Sequence, residues 1–330
     1  MVTRNLQIIR NLKSKDDRKK RRAIRDLFEI DEDVNLEYFI PLLDDKDQWY
    51  RSKAVDAFRR WAKRKDISCL EVLVNHQNIE YNRVAANLLP FFKNEPSDIA
   101  KSLFLKDDYI CKLKASEFIL QNKNEDSFYQ ELMLHENPRL RIVGLRSEYL
   151  ESEKLNDALD DESKMVVEAA LERLQELDLP IAREYVPKLL KRDIKRKLLI
   201  NHVIELGGDS LSSLIQNSKP STKKEVVKIL RQNYNKIDDS PIISLIKNGH
   251  LMVVGRWLQG KKGREFDRLR WEIIEDSSLD EIERCRLLER LFSRCNEKEI
   301  RERAQQLSQT IQSDLIKTTA HNLSTADDRV

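Results

Sequence analysis

Residues 256–271 read RWLQGKKGREFDRLRW, the stretch of this chain whose side chains are best suited to meet a polyanion. Arg256, Lys261, Lys262, Arg264, Arg268 and Arg270 supply cations, with Trp257, Phe266 and Trp271 interleaved. Cations neutralise phosphates, aromatic faces stack on bases, and glycines beside the lysine pair let backbone approach closely. The same spacing also fits a plainer arrangement, in which the three rings are core and the bases face water. We favour the plainer one.

A second candidate surface lies nearer the start. Arg22, Lys53, Asp56, Arg59, Arg60, Arg83, Asn87, Lys114, Glu117 and Arg146 fall on outward positions of expected helices, with Lys63 and Arg64 close by. The row is mixed in sign and mostly basic. The overall net charge is +3, but it is unevenly spread. Residues 1–65 carry an excess of about six positive charges, residues 147–186 about eight negative, and residues 187–270 about eleven positive. An acidic middle between basic arms suits a partner with mixed charges better than a uniform polyanion.

Motifs that perform chemistry are lacking. The chain has no His-Glu-x-x-His, no glycine-rich loop ending in Lys-Ser/Thr, no Gly-x-Ser-x-Gly and no dinucleotide fingerprint. Cys69, Cys111, Cys285 and Cys295 stand alone, without metal or redox spacing. The five histidines are scattered, and His76 and His135 fall in equivalent turns, so they read as turn residues. No metal, no cofactor and no catalytic residue is expected. The start has no signal-peptide core and no stretch is a membrane span, so the expectation is a soluble, cytoplasmic, intracellular protein with no membrane partner.

The elements that position these residues are helices. Leu, Lys, Glu, Arg and Ala dominate, glycines number 7, and alternating β-branched runs are absent. The segment DKDQWYRSKAVDAF at 45 recurs as HQNIEYNRVAANLL at 76, KDDYICKLKASEFI at 106, ENPRLRIVGLRSEY at 136 and DESKMVVEAALERL at 161. It also matches KDDRKKRRAIRDLF at 15 and KRDIKRKLLINHVI at 191, for a period of about 30 residues. Each copy opens on Asp or Asn (Asp17, Asp47, Asn78, Asp108, Asn137), with Glu162 and Asp193 in phase. Such side chains accept from the free N–H groups that open a helix. An apolar residue follows (Tyr50, Tyr81, Cys111, Leu140), then often a base (Arg21, Arg51, Arg141), then a small residue that lets a neighbouring helix approach. The base is expected to reach the turn of an adjacent unit, making Arg51 and Arg141 rungs of a structural ladder. A shorter apolar segment lies between copies, with Pro41 and Pro187 in one phase, where each should kink or stop a helix.

These features resemble the HEAT-repeat family of armadillo-like α-solenoids, over residues 1–217 and less regularly beyond. ENPRLRIVG and DKDQWYRSKA carry the likeness best, although the glycine usual after the second helix is mostly missing. The resemblance implies an all-α right-handed superhelix of antiparallel helix pairs. It divides the chain into regular repeats at 1–217, divergent repeats at 218–316 with a capping helix, and a disordered polar tail at 317–330. The cap stripe is Ile300, Ala304, Leu307, Ile311 and Leu315. Its implied function is a non-enzymatic scaffold or adaptor that binds a protein. The alternative is nucleic-acid binding through the N-terminal and 187–270 basic regions. A remote variant follows alkylpurine DNA glycosylases built from similar repeats, with Trp49, Trp61, Asp56 and Arg59 on the nucleic-acid face.

Overall fold

The computed structural model describes residues 2–93, 95–121 and 127–326, with side chains from residue 7 onward. All regular structure among these residues is helical. The chain falls into two compact units, Met1–Leu150 and Glu151–Val330.

The first unit holds α1 (Val2–Leu12), α2 (Asp17–Ile30), α3 (Gln48–Trp61), α4 (Glu71–Val74), α5 (Ile79–Leu88), α6 (Asp98–Phe104), α7 (Tyr109–Leu120), α8 (Phe128–Met133) and α9 (Pro138–Gly144). Within it α3, α5, α7 and α9 pack in succession, while α4, α6 and α8 each back onto the helix that follows. The core lies between these rows. Leu73, Leu103 and Leu132 enter from one side; Ala54, Ala85 and Ala115 from the other are fully buried. Gly144 takes the same place in α9, where a Cβ would sit 3.2 Å from the Leu132 Cβ and the Met133 Sδ. Pro41 opens a 3-10 turn, Ile40–Asp44, so two short 3-10 stretches replace the helix before α3.

The second unit holds α10 (Ser152–Asp157), α11 (Lys164–Glu176), α12 (Tyr185–Arg192), α13 (Arg196–Leu206), α14 (Gly208–Asn217), α15 (Pro220–Asn233), α16 (Ser240–Lys247), α17 (Leu251–Leu258), α18 (Arg264–Glu275), α19 (Glu281–Leu291), α20 (Lys298–Thr310) and α21 (Asp314–Thr325). Here α13, α15, α17, α19 and α21 pack in succession, and α12, α14 and α16 form the row behind them. Pro187 lies in the first turn of α12, where its missing N–H costs nothing, so it starts a helix and kinks none.

The turns that open α3, α5, α7 and α9 follow the expected capping. Asp47, Asn78, Asp108 and Asn137 accept from the N–H of Trp49, Glu80, Cys111 and Arg139 at 2.8–3.0 Å. Three of the four cap residues have their own N–H held from two residues upstream, by Asp45 Oδ1, His76 Nδ1 and His135 Nδ1. His76 and His135 are therefore turn residues, as their phase suggested.

Four sequence expectations need correction. The cap of α2 is Asp16, which accepts from Arg18 N–H at 3.0 Å; Asp17 is the first helical residue. The first copy is thus one residue out of register, and Ala23 matches Ala54. Arg51 does not reach an adjacent unit. Its guanidinium donates to the Asp45 and Lys46 carbonyls of its own turn, at 2.7 and 2.8 Å. Arg141 repeats this on His135 and Glu136, and Asn82 reaches the His76 carbonyl from the same position. The geometry explains the difference: a side chain four residues past the cap points back over the carbonyls left open at the end of the preceding segment. Neighbouring helices are tied one residue later, by Arg21 to Asp47 (2.9 Å) and Arg83 to Asp108 (2.7 Å). Third, Glu162 and Asp193 do not cap: Ser163 precedes α11, and Asp193 ends α12 in left-handed conformation. Fourth, helix continues to Thr325 where a disordered tail was expected from 317. Ile316, Ala320 and Leu323 bury a face of α21, which packs on α19 and α20, while the chain breaks between Thr310 and Asp314 and leaves Leu315 exposed. Residues 327–330 lie outside the described residues.

Asp47→Ala removes a helix cap and should lower stability by about 0.5–2 kcal/mol. Arg141→Ala uncovers two turn carbonyls from a buried side chain and should lower it more than Arg51→Ala, whose site is wetter. Urea unfolding monitored by circular dichroism measures all three, and equal midpoints for the two arginine variants would contradict the order.

Candidate functional site

The expected partner row of the first unit is real as a set of surface positions, but most of its charge is spent internally. Lys53 and Lys114 occupy equivalent places on α3 and α7 and make the same ion pair three residues on, with Asp56 at 2.7 Å and Glu117 at 2.8 Å. Arg83 is shared between Glu80 and Asp108. Its hydrogen bond is the main reason that the Asp108 carboxyl sits below the ordinary carboxylate range. Arg59 is exposed and 3.9 Å from Asp56. Arg22, Lys63 and Arg146 are exposed, and Lys63 lies over the ring of Phe91, itself 59 % exposed.

Arg60 and Arg64 are exposed and both engage a structural hub. Asp31 ends α2 with φ 54°, a left-handed conformation that aspartate tolerates better than most residues. Its carboxylate accepts from the Trp61 indole N–H and Arg60 Nε, both at 2.7 Å, and from Arg64 Nη2 at 3.1 Å. These bonds, the indole's first, hold the Asp31 carboxyl far below its usual range. Trp61 is fully buried and stacks on Phe28, with Phe39 at its edge. It cannot present a face to nucleic acid. An open groove of about 590 Å³ between α2 and α3 does bring Trp49, Lys53, Asp56 and Arg60 together beside Phe28, but Asp56 there is held by Lys53.

The 256–271 segment divides. Trp257, Phe266 and Trp271 are core, and the Trp257 indole donates to the Tyr234 carbonyl at 3.0 Å. Arg256 pairs with Glu283 at 2.8 Å, and Lys261 donates to Tyr234 O and Asn235 Oδ1. Arg270 is 2 % exposed and binds Asp267 and the Leu258 carbonyl. Lys262, Arg264 and Arg268 are exposed. The aromatic and cationic halves of the stretch therefore point apart, and no stacking platform results.

What the sequence reading missed is a cationic groove formed between helices. Lys224, Lys228 and Arg231 on α15, Arg256 on α17, Gln259 just after it, and Arg286 on α19 line an open groove of about 480 Å³. These residues lie up to 62 positions apart, so no local window shows them; the helix periodicity of α15, with cations at 224, 228 and 231, was the available signal.

Other chemistry-bearing groups have structural partners. Burial pushes the Cys69 and Cys111 thiols up to about 11 and about 12, which keeps both protonated near neutrality. Ser212 Oγ lies 2.7 Å from His250 Nε2, beside a polar groove containing Arg183 and Asp209. Burial lowers the imidazole's pKa. No hydrogen bond orients the His250 ring through Nδ1 among the described residues, so the pair ties α14 to the start of α17. Among those residues no three metal-ligating side chains cluster, and no helix is long and apolar enough to cross a membrane.

No family model and no curated protein matches this chain. Among solved structures, a crystal structure of an engineered protein is similar over 97% of this chain and 95% of its own, at 13% identity and a TM-score of 0.12. That superposition carries no argument about fold or function.

Two predictions follow from the spent charges. Asp31→Ala should lower the melting temperature near neutrality. Because folding depresses this carboxyl, its contribution is complete above the unfolded value of about 4 and fades as pH falls below it. The gap between wild type and variant, measured by thermal melts, should narrow toward acid. Arg270→Ala should destabilise the second unit strongly by leaving the buried Asp267 with one partner fewer. Lys262→Ala, Arg264→Ala and Arg268→Ala should stay within about 0.5 kcal/mol of wild type, and a large loss in any of them would show a packing role for that base.

Proposed function

We propose that this protein is a non-enzymatic scaffold or adaptor, in which the helix pairs of each unit are HEAT-like repeats of an armadillo-like α-solenoid and the first unit binds a partner protein. The successive packing of α3, α5, α7 and α9, the last three each backed by a shorter helix, supports the repeat reading. The observation that carries the function is the repeated ion pair, Lys53–Asp56 and Lys114–Glu117, at equivalent positions of two helices. It leaves a face of alternating sign, and elsewhere in the unit Phe91 is exposed beneath Lys63. Such a pattern of signs complements a partner with mixed charges, as protein interfaces present them. A nucleic-acid backbone would have to displace Asp56 and Glu117 from their lysines while tolerating their charge. The burial of Trp61 weighs in the same direction, since it removes an aromatic platform from the glycosylase variant.

The surface cations free of the Asp31 hub give the test. Arg22, Arg59 and Lys63 reversed together to Glu should slow association with a protein partner recovered from nuclease-treated extract, with little change in melting. Duplex and single-stranded nucleic acid should bind the wild type only at about 10⁻⁴–10⁻⁶ M, the range of non-specific contacts at physiological salt. Submicromolar nucleic-acid binding at that salt, lost in the triple reversal, would replace the protein reading with the nucleic-acid one.

A further inference from the structure

The groove of α15, α17 and α19 differs from the first unit's surface in its charge balance. Lys224, Lys228, Arg231, Arg256 and Arg286 line it without a carboxylate among the lining residues. Beneath two of these cations lies Glu283, 8 % exposed, which Arg256 and Arg286 share at 2.8 and 2.9 Å. One carboxylate thus serves two guanidiniums. Among the described residues Arg231 has only neutral acceptors, the Arg256 carbonyl (Nε, 3.0 Å) and Gln259 Oε1 (3.1 Å). Its guanidinium pKa is lowered, by burial first and then by the charge of Arg290 on α19. Like charges held together around an open cleft are costly unless an anion joins them.

We propose that this groove is an anion site that receives a phosphorylated side chain of a peptide. It is a different surface from the one proposed above and is tested separately. Three guanidiniums converge from three helices, and guanidinium forks match phosphate oxygens in pairs. Lys224 and Lys228 are exposed on one face of α15 and add mobile charge at the rim. The groove exposes no aromatic ring; its apolar lining is Val227. A single-stranded nucleic acid would therefore find charge but no stacking surface. The same helices carry Glu225 and Glu289 outside the groove, so the cationic zone is short. A compact dianion fits it, whereas a continuous phosphate backbone would run onto carboxylates.

The experiment titrates the full chain with a fluorescent Gly-Ser peptide carrying one phosphoserine, its unphosphorylated twin, and a uridine oligonucleotide, at physiological salt. The phosphopeptide should bind about tenfold or more tighter than its twin, and inorganic phosphate should compete. Lys224→Gln with Lys228→Gln, and separately Arg231→Gln, should each weaken it; the exposed Arg268→Gln should not. These side chains make no ion pair among the described residues, so folding is expected to survive and circular dichroism checks it. Equal binding of the two peptides, or unchanged binding by both groove variants, overturns the proposal. Tighter binding of the oligonucleotide, lost in the same variants, overturns it in favour of nucleic acid.

Discussion

Every helix end leaves backbone groups without partners, and satisfying them is the constraint on which the rest of the first unit depends. The chain meets it with one recurring turn. An acceptor two residues before the cap holds the cap's own N–H, as Asp45, His76 and His135 do. The cap side chain then holds the helix, and four residues on a long donor returns to the turn's carbonyls, as Arg51, Asn82 and Arg141 do. Both ends of the turn are thereby closed by side chains. The next helix consequently leaves in a fixed direction, which places Ala54, Ala85, Ala115 and Gly144 at successive helix contacts. Packing and surface chemistry both inherit that geometry.

Much of this was legible in the sequence because it is local. Caps at Asp47, Asn78, Asp108 and Asn137 and the small residue seven positions later sit within one window, and helical periodicity joins them. The register at Asp16 and Asp17 was not legible, since adjacent aspartates satisfy the same pattern and only Ala23 breaks the tie. The direction of Arg51 was not legible either. A donor at a given position can serve a turn or a neighbour, and distance alone decides. The cationic groove was the least visible, because Lys228, Arg256 and Arg286 meet only after α15, α17 and α19 have packed. The break between α20 and α21, where Ser313 caps a new helix, was hidden by Ile311 and Leu315, which continue an apolar stripe past the point where α20 ends.

Charge in this protein serves two different ends. In the first unit, opposite signs are paired along each helix or across to the next, and Arg60 and Arg64 are committed to Asp31. Long side chains so fixed lose mobility and add little stability at an exposed surface; their effect is to set a pattern of signs. In the second unit the cations around Arg231 have too few acids, although the buried Asp267 nearby in sequence is met by two guanidiniums, Arg270 and an Arg294 that it shares with Glu297. Counting charges along the chain gives a basic zone in both places. The difference between a pattern and a surplus exists only in three dimensions.

The bridges Arg21–Asp47 and Arg83–Asp108 occur at alternate boundaries, and Ser52 and Leu113 stand at the same position in the helices between. The Asp108 side chain is 7 % exposed, so its bridge is shielded from water. The ion-pair period of the first unit is therefore two helix pairs, twice its sequence period. The other joints are tied differently: the Tyr81 hydroxyl of α5 donates to the Leu43 carbonyl before α3 at 2.9 Å, and Arg139 of α9 donates to the Tyr109 hydroxyl of α7 at 3.3 Å. A sequence that repeats with every helix pair thus builds two kinds of joint, one closed by opposite charges and one by a phenol.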